Sequence, residues 1–322
     1  MALLEVTDLA VRYKVSTPLF CKQRYLYAVN GVSFSLDRGE TLGLVGESGC
    51  GKSTLGKALV KLEQPYRGSI MLDGEDVIHA KGSKLREVRK KFQMIFQDPY
   101  SSLNPRLSIF SALDEVIALH TDAKRAARRE QAAQLLEKVG LTADALDRYP
   151  HQFSGGQRQR IGIARSLAAS PEFIVADEPV SALDVSVQAS IVNLMQDIQR
   201  ESGTAFLFIA HDLAVVEHIS TRIMVMYLGN AVELAPAKAL TASPRHPYTA
   251  ALLNAVPSLE NRDRKLPHLH GDVPSPLAPP DGCPFHPRCP YATEKCRQEK
   301  PPLAAVPGET ERFCACWNQL QA

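Results

Sequence analysis

The sequence predicts an α/β domain built on a mostly parallel sheet, with a smaller appendage after it. Three observations carry this. The apolar runs FIVAD (173–177) and TAFLFIAHD (204–212) flank the helix-patterned VQASIVNLMQDIQRES, and strands alternating with helices imply parallel pairing. The glycine-rich Gly46–Thr54 stands between an apolar run, ETLGLVG, and the helix-patterned KSTLGKALVKL. Beyond about residue 257 proline dominates, as in PSPLAPPDGCPFHPRCP, and regular periodicity fades. A chain of 322 residues has room for one large domain and such an appendage.

The elements follow in order. Residues 3–13 and 28–36 alternate apolar and polar side chains, the pattern of strands in an antiparallel edge layer. GSIMLDGEDV reads as a hairpin closed by an Asp-Gly turn. REVRKKFQMIF (86–96) ends in a short apolar strand. From 108 to 148 the character changes to Ala, Leu, Glu, Arg and Lys at helical spacing, a helical insertion. RIMVMYLGNAVELA (222–235) has the form of a closing hairpin. No internal repeat is present, and each motif discussed below occurs once.

Bulk composition excludes several classes. The net charge of +2 supplies no polyanion-binding surface, so nucleic acid is not expected as a partner. No apolar run approaches the roughly 18–20 residues that cross a bilayer, and MALLEVTDLAVRYKV lacks a signal-peptide pattern. A cytosolic chain is expected, reaching a membrane only through partners.

Gly46-Glu47-Ser48-Gly49-Cys50-Gly51-Lys52-Ser53-Thr54 fits the phosphate-loop pattern in strand–loop–helix context. Its glycines let backbone N–H groups curl around phosphate oxygens at a helix N-terminus, where the dipole also favours anions. Lys52 suits the β/γ-phosphates, and the Ser53 hydroxyl suits Mg²⁺. FIVAD ends in Asp177, a carboxylate able to hold Mg²⁺ through water, and Glu178 follows as a candidate base for the attacking water. An acidic pair at a strand end is often mere surface; beside a phosphate loop it reads as the matching acid.

These two motifs specify a P-loop NTPase. The turn Ser154-Gly155-Gly156-Gln157 narrows the class, because it opens the helix-patterned RQRIGIARSLAA and makes a second helix N-terminus with donors for phosphate. Standing alone it would be an ordinary N-cap. Fifteen residues separate it from FIVADE, SALD (Ser181, Ala182, Leu183, Asp184) follows, and His211 ends the next apolar run.

Together Gly46–Thr54, Gln97, FSGGQRQR, FIVADEP, SALD and His211 resemble an ABC-type ATPase over residues 1–255. The resemblance implies a domain of residues 1–256 with an antiparallel β subdomain, a RecA-like core and a helical subdomain at about 98–170. It also implies head-to-tail dimerisation, in which Ser154–Gln157 of one subunit close over ATP held by the other. Gln97 would contact Mg²⁺ and the attacking water, His211 the γ-phosphate, Tyr13 the adenine, and Asp184 the dimer partner. Phe153 replaces the Leu that commonly opens the signature, without expected loss of function. Long coiled coils and fused membrane helices are absent, so the pattern is similar to the separate ATPase subunit of a bacterial importer.

Flanking sequence extends the likeness. IFQDPYSSLNP, ADEPVSALDVSVQ, SPRHPYTAALL and PPDGCPFHPRC, with the long 14–27 segment, resemble the F-type ATPases of the peptide/nickel importer family. That implies a D-type ATPase partner in a heterodimer, two membrane permeases, a peptide-binding protein, and a place on the cytoplasmic face of the bacterial inner membrane. A nickel or other small-solute importer is the alternative, and a soluble non-transport ABC protein the rival from another class.

The extension at 257–322 carries Cys283, Cys289, Cys296, Cys314 and Cys316, whereas Cys21 and Cys50 are isolated. In a reducing compartment such a cluster suggests a metal rather than disulfides. It lacks the tight C-x-x-C pairs of zinc ribbons; four thiolates suit zinc or a [4Fe-4S] cluster. The resemblance implies the cluster, with Cys283, Cys289, Cys296 and Cys316 as ligands and Cys314 as rival for the fourth place; His286 reads as a loop residue, with a ligand role as the alternative.

Overall fold

A computed structural model describes residues 2–16, 23–98, 102–255 and 271–321. Cys21, Tyr100 of PYSSLNP and part of the 14–27 segment lie outside the described residues. Two compact units alternate along the chain, one drawn from 1–36, 41–78 and 211–322, the other from 37–40 and 79–210.

The first unit begins with a four-stranded antiparallel sheet. β1 (Leu4–Val15) pairs with β2 (Arg24–Leu36), and Leu4 faces Leu36 at one end. The short apolar β3 (Thr41–Val45) is buried along its whole length and runs into the phosphate loop. β4 (Arg67–Leu72) pairs with β1 and turns into β5 (Glu75–Asp76). The Asp-Gly turn between them has φ 51° at Asp73 and 75° at Gly74. Both are left-handed, the geometry of the two-residue hairpin loop that matches strand twist. The alternation of β1 is broken at Asp8, where φ is 48° and the pairing with β2 shifts register. The Asp8 N–H leaves the ladder and donates to Ser33 Oγ at 2.8 Å. This bulge is a local departure that a period-two pattern does not reveal.

The second unit holds a parallel ladder of three strands, β6 (Phe92–Ile95), β7 (Phe173–Asp177) and β8 (Ala205–Ile209). β7 and β8 are buried at every position, as parallel strands covered on both faces must be. Helices Ile109–His120, Arg125–Lys138 and Gly155–Leu167 lie between β6 and β7 in sequence and bury Ile109, Leu113, Leu136, Ile161 and Ala164 among themselves and their neighbours. Helix Val185–Ser202 joins β7 to β8 and stops at Gly203, whose φ of 67° is the usual left-handed C-cap.

The chain then returns to the first unit. β9 (Arg222–Tyr227) runs parallel to β3, with Val45 opposite Val225, and β10 (Asn230–Pro236) folds back antiparallel to β9. The proline-rich tail does contain strand. β12 (Phe313–Cys314) pairs with β10, and β11 (Ala304–Ala305) pairs with β12. Two-residue strands are too short to show periodicity, which is why the sequence pattern misses them. What fastens them is polar: the Arg312 guanidinium and Glu233 carboxylate are both buried and 3.1 Å apart. Glu233 also accepts the backbone N–H groups of Arg245 and His246, each at 2.9 Å. A buried carboxylate with its donors supplied is tolerable; stripped of Arg312 it would be an uncompensated charge.

His246 lies within this fastening. It is fully buried, and its ring Nδ1 accepts the Tyr248 N–H at 3.0 Å. Burial pushes its pKa down from 6.5 to about 3, against a weaker opposing hydrogen bond with Ala315. The unfolded chain therefore binds one more proton than the native state between those two values, so stability falls as the pH drops through that window. Urea midpoints measured from about pH 7 to pH 5 should decline, and a His246→Asn variant should flatten that decline. An unchanged slope would remove His246 as its source.

Candidate nucleotide site

In the first unit the phosphate loop is shaped by glycine. Gly46 and Gly51 have φ of 149° and 106°, a region that side chains rarely adopt. There is no space for them either: a Cβ on Gly51 would sit 2.0 Å from the Ala28 carbonyl oxygen, and one on Gly46 2.2 Å from that of Met226. The loop is thus seated directly on the backbones of β2 and β9. Helix Lys52–Leu59 begins at Gly51 with no side-chain cap, which leaves its first N–H groups without intrahelical acceptors. Lys52 is buried, and its ammonium donates to the carbonyls of Gly46 at 2.7 Å and Glu47 at 3.2 Å. Ser48 and Gly49 are exposed at the loop's tip, Ser53 and Thr54 are half-buried, and Cys50 is buried, with its thiol pushed up by burial.

Tyr13, on β1, is 39% exposed, and its hydroxyl, pushed up by burial, has Thr54 and Glu63 as its electrostatic neighbours. The ring therefore stands beside the first turn of the loop's helix. His211 is exposed in the turn before helix Leu213–Ile219, which Asp212 caps through the Ala214 N–H at 2.9 Å.

The second unit holds the acids. Asp177 is buried as the last residue of β7. Glu178 follows with φ 47°, a left-handed conformation that a non-glycine residue adopts only under constraint. The constraint is visible. Its N–H donates to the Ile209 carbonyl at 2.9 Å, and its own carbonyl accepts the Ser181 N–H at 3.3 Å and hydroxyl at 3.1 Å. Its carboxylate accepts from Gln97 Nε2 at 2.8 Å. Two residues 81 positions apart in sequence are therefore joined at one oxygen.

Ser154 caps helix Gly155–Leu167 in a reciprocal box: its hydroxyl accepts the Gln157 N–H at 3.3 Å, and the Gln157 side chain accepts the Ser154 N–H at 3.0 Å. Ser154, Gly155 and Gln157 are exposed, while Phe153 is buried as the apolar anchor beneath, with the Arg148 guanidinium 4.4 Å above its ring. A Cβ on Gly156 would lie 2.5 Å from Val187 Cγ1, so the signature turn packs tightly against the start of the next long helix. Between Glu178 and that helix, Ala182 and Asp184 are exposed and Leu183 half-buried; the adjoining Val185 is 82% exposed.

Cys283, Cys289, Cys296 and Cys316 line one small pocket together with His246, Phe285 and Trp317. Cys314 does not line it; it is buried on β12 opposite Glu233. Burial first, then the neighbouring sulfurs, push the Cys289 thiol up to about 11 and the Cys316 thiol up to about 12. His286 turns its ring to the Cys283 carbonyl at 3.0 Å, so it behaves as a loop residue. However, no group of three or more His, Cys, Asp or Glu side chains among the described residues stands in metal-holding geometry. The metal-binding character expected of the tail is therefore not supported by the fold itself: the thiols are gathered around a pocket, but not drawn together around a centre.

Two residues that matter to the loop escape sequence reasoning. Tyr248 accepts the Glu47 N–H on its hydroxyl at 2.9 Å, and Arg288 forks onto the Glu47 carboxylate at 2.7 and 3.0 Å. The Arg288 partner lies 241 positions away, beyond any local pattern.

A phosphate loop, a buried acid-ended strand and an exposed glycine-opened helix define a P-loop NTPase. Comparison with known proteins narrows this. A profile of the ABC transporter family matches residues 29–181, and one of the oligopeptide/dipeptide transporter C-terminal region matches 232–296. The chain is 51% identical to the dipeptide transport ATP-binding protein DppF of Haemophilus influenzae, over 94% of this chain and 92% of that one. It is 48% identical to the oligopeptide transport ATP-binding protein AppF of Bacillus subtilis, over 98% of this chain and 96% of the relative. The dimeric ATP-binding cassette MJ0796, solved in a post-hydrolysis state with ADP and Pi, matches with a TM-score of 0.65 at 27% identity, over 73% of this chain and 98% of its own. The chain belongs to the ATP-binding proteins of the ABC transporter family, in its oligopeptide/dipeptide group. No helix among the described residues is long and apolar enough to cross a membrane.

Proposed function

We propose that this chain is the ATP-hydrolysing subunit of a bacterial importer of di- and oligopeptides, working with two permeases, a D-type ATPase and a peptide-binding protein at the cytoplasmic face of the inner membrane. The observation that carries the reading is near-full-length similarity to dipeptide and oligopeptide transport ATP-binding proteins, C-terminal region included. Residues 1–256 form the ATPase domain, with a helical subdomain at about 98–170, and 257–322 the extension.

Within the site, the N–H groups of Gly46–Thr54 and the Lys52 ammonium would hold the ATP phosphates, Ser53 and Asp177 Mg²⁺, and Tyr13 the adenine. Glu178, oriented by Gln97, would take the proton of the attacking water, and His211 would hold the γ-phosphate. Ser154–Gln157 would meet ATP bound to the partner subunit, and Ser181–Asp184 would line the dimer seam. Each phosphate motif occurs once, so each chain supplies two half-sites and completes neither.

The four pocket cysteines would hold a [4Fe-4S] cluster, zinc being the alternative, and a bound centre would staple a tail that has little core of its own. The convergence of Cys283, Cys289, Cys296 and Cys316 on one pocket, without Cys314, supports that ligand set.

One preparation tests both parts. The chain extracted from membranes should bring with it two permeases, a second ATPase and iron and sulfide in equal amounts. Stoichiometric zinc without iron defeats the cluster. Co-purified permeases that leave peptide uptake unchanged when the chain is deleted, but abolish uptake of a metal ion, would establish the nickel-type reading instead.

A further inference from the structure

The phosphate loop has few side chains with which to hold its own shape. Gly46, Gly49 and Gly51 all have positive φ, Ser48 is exposed, and Lys52 reaches back to the loop's own carbonyls and the Cys50 sulfur. Glycine-rich segments lose more backbone entropy on ordering than others, so a nucleotide meeting an unanchored loop would bear that cost on binding. Cys50 accepts the Gly229 N–H at 2.9 Å on its carbonyl, and Glu47 is anchored from outside through both its backbone and its side chain. Its N–H is taken by the Tyr248 hydroxyl and its carboxylate by both terminal nitrogens of Arg288.

Arg288 is built into the extension for this contact. It sits in the turn His286–Arg288, between Cys283 and Cys289, with its side chain only 5% exposed. Its Nε is buried without a partner, a cost accepted where the fork is made. Tyr227 adds a hydroxyl at 3.4 Å, and Phe285 packs edge-on against the Tyr227 ring and tilted against that of Tyr248, each with centroids 5.3 Å apart. The anchor of the loop and the pocket of cysteines are thus two ends of one packed cluster: Phe285 touches both.

We propose that Arg288 is a positioning residue for the phosphate loop: the C-terminal extension holds Glu47 in a bidentate fork and thereby sets the affinity of the loop for ATP. A rearrangement of the turn between Cys283 and Cys289 is felt at the nucleotide through this fork and the Phe285–Tyr248 contact.

The test is equilibrium binding of a fluorescent ATP analogue to the full chain, with a urea midpoint recorded for every variant. Arg288→Ala should weaken binding on the order of tenfold, within the usual range of coupling between two sites. Glu47→Gln, which keeps shape and leaves the tail untouched, should weaken it in the same direction, and the double variant should lose no more than Arg288→Ala alone. Arg288→Lys should recover only part of the affinity, because an ammonium cannot make the planar fork. In steady-state hydrolysis the KM for ATP should rise by a larger factor than kcat falls. A folded Arg288→Ala chain binding ATP as tightly as the parent overturns the proposal. So do additive losses in the double variant. If Arg288→Ala does not fold, Glu47→Gln decides alone: parental affinity refutes the fork, and weakened affinity upholds it.

Discussion

Replacing Glu178 by Gln should lower ATP turnover about a hundredfold or more while leaving ATP bound, because general-base assistance is typically worth that much. The amide is nearly isosteric with the carboxylate. Its oxygen can still accept from Gln97 Nε2, so the 2.8 Å contact and the left-handed turn at φ 47° survive, and only proton acceptance is lost. The Ser181 contacts to the Glu178 carbonyl involve backbone and are untouched by the change. Phosphate release over time, set beside the nucleotide that remains on the protein after desalting, separates the two effects. Parental turnover in the Gln variant would remove Glu178 from the proposed role. Rapid loss of nucleotide would show instead that the carboxylate serves binding.

Replacing Lys52 by Met should weaken ATP binding by about a hundredfold, since charge-assisted hydrogen bonds contribute roughly 1.5–3 kcal/mol. Met fills the same buried channel with an unbranched apolar chain, so the helix Lys52–Leu59 should keep its stability. The variant loses the donor that spans the Gly46 and Glu47 carbonyls and the positive charge together. Titration with labelled ATP, alongside urea unfolding, distinguishes a folded non-binder from an unfolded chain. Tight binding by a folded Met variant would contradict the phosphate-gripping role.

Much of this was legible because the chemistry is local. A phosphate loop is nine consecutive residues, and the backbone strain it needs is written as glycine. The Asp73-Gly74 turn was readable for the same reason: both positions adopt φ that those residue types tolerate. Glu178 was legible as an acid after an apolar strand, but its left-handed backbone was not. That conformation is imposed by Ile209 and Ser181 rather than by anything intrinsic to Glu. That Cys314 lies on a strand paired with β10, opposite Glu233, was not legible, because a two-residue strand leaves no periodicity. The Tyr248–Glu47–Arg288 contacts join positions 201 and 241 residues apart, a separation at which no periodicity or spacing rule operates.

The seam between β10 and β12 has a further consequence, for anyone wishing to shorten the molecule. A chain ended after residue 255 would resemble a minimal ATPase on paper, yet it would not be a smaller version of this one. It would present β10 as an open sheet edge, with unpaired donors and acceptors ready to accept a strand from another molecule. It would also leave Glu233 without Arg312 in a site made to enclose both. The two-residue strand at Phe313–Cys314 covers that edge, and a chain ended at 255 should elute at larger size than the full chain in gel filtration.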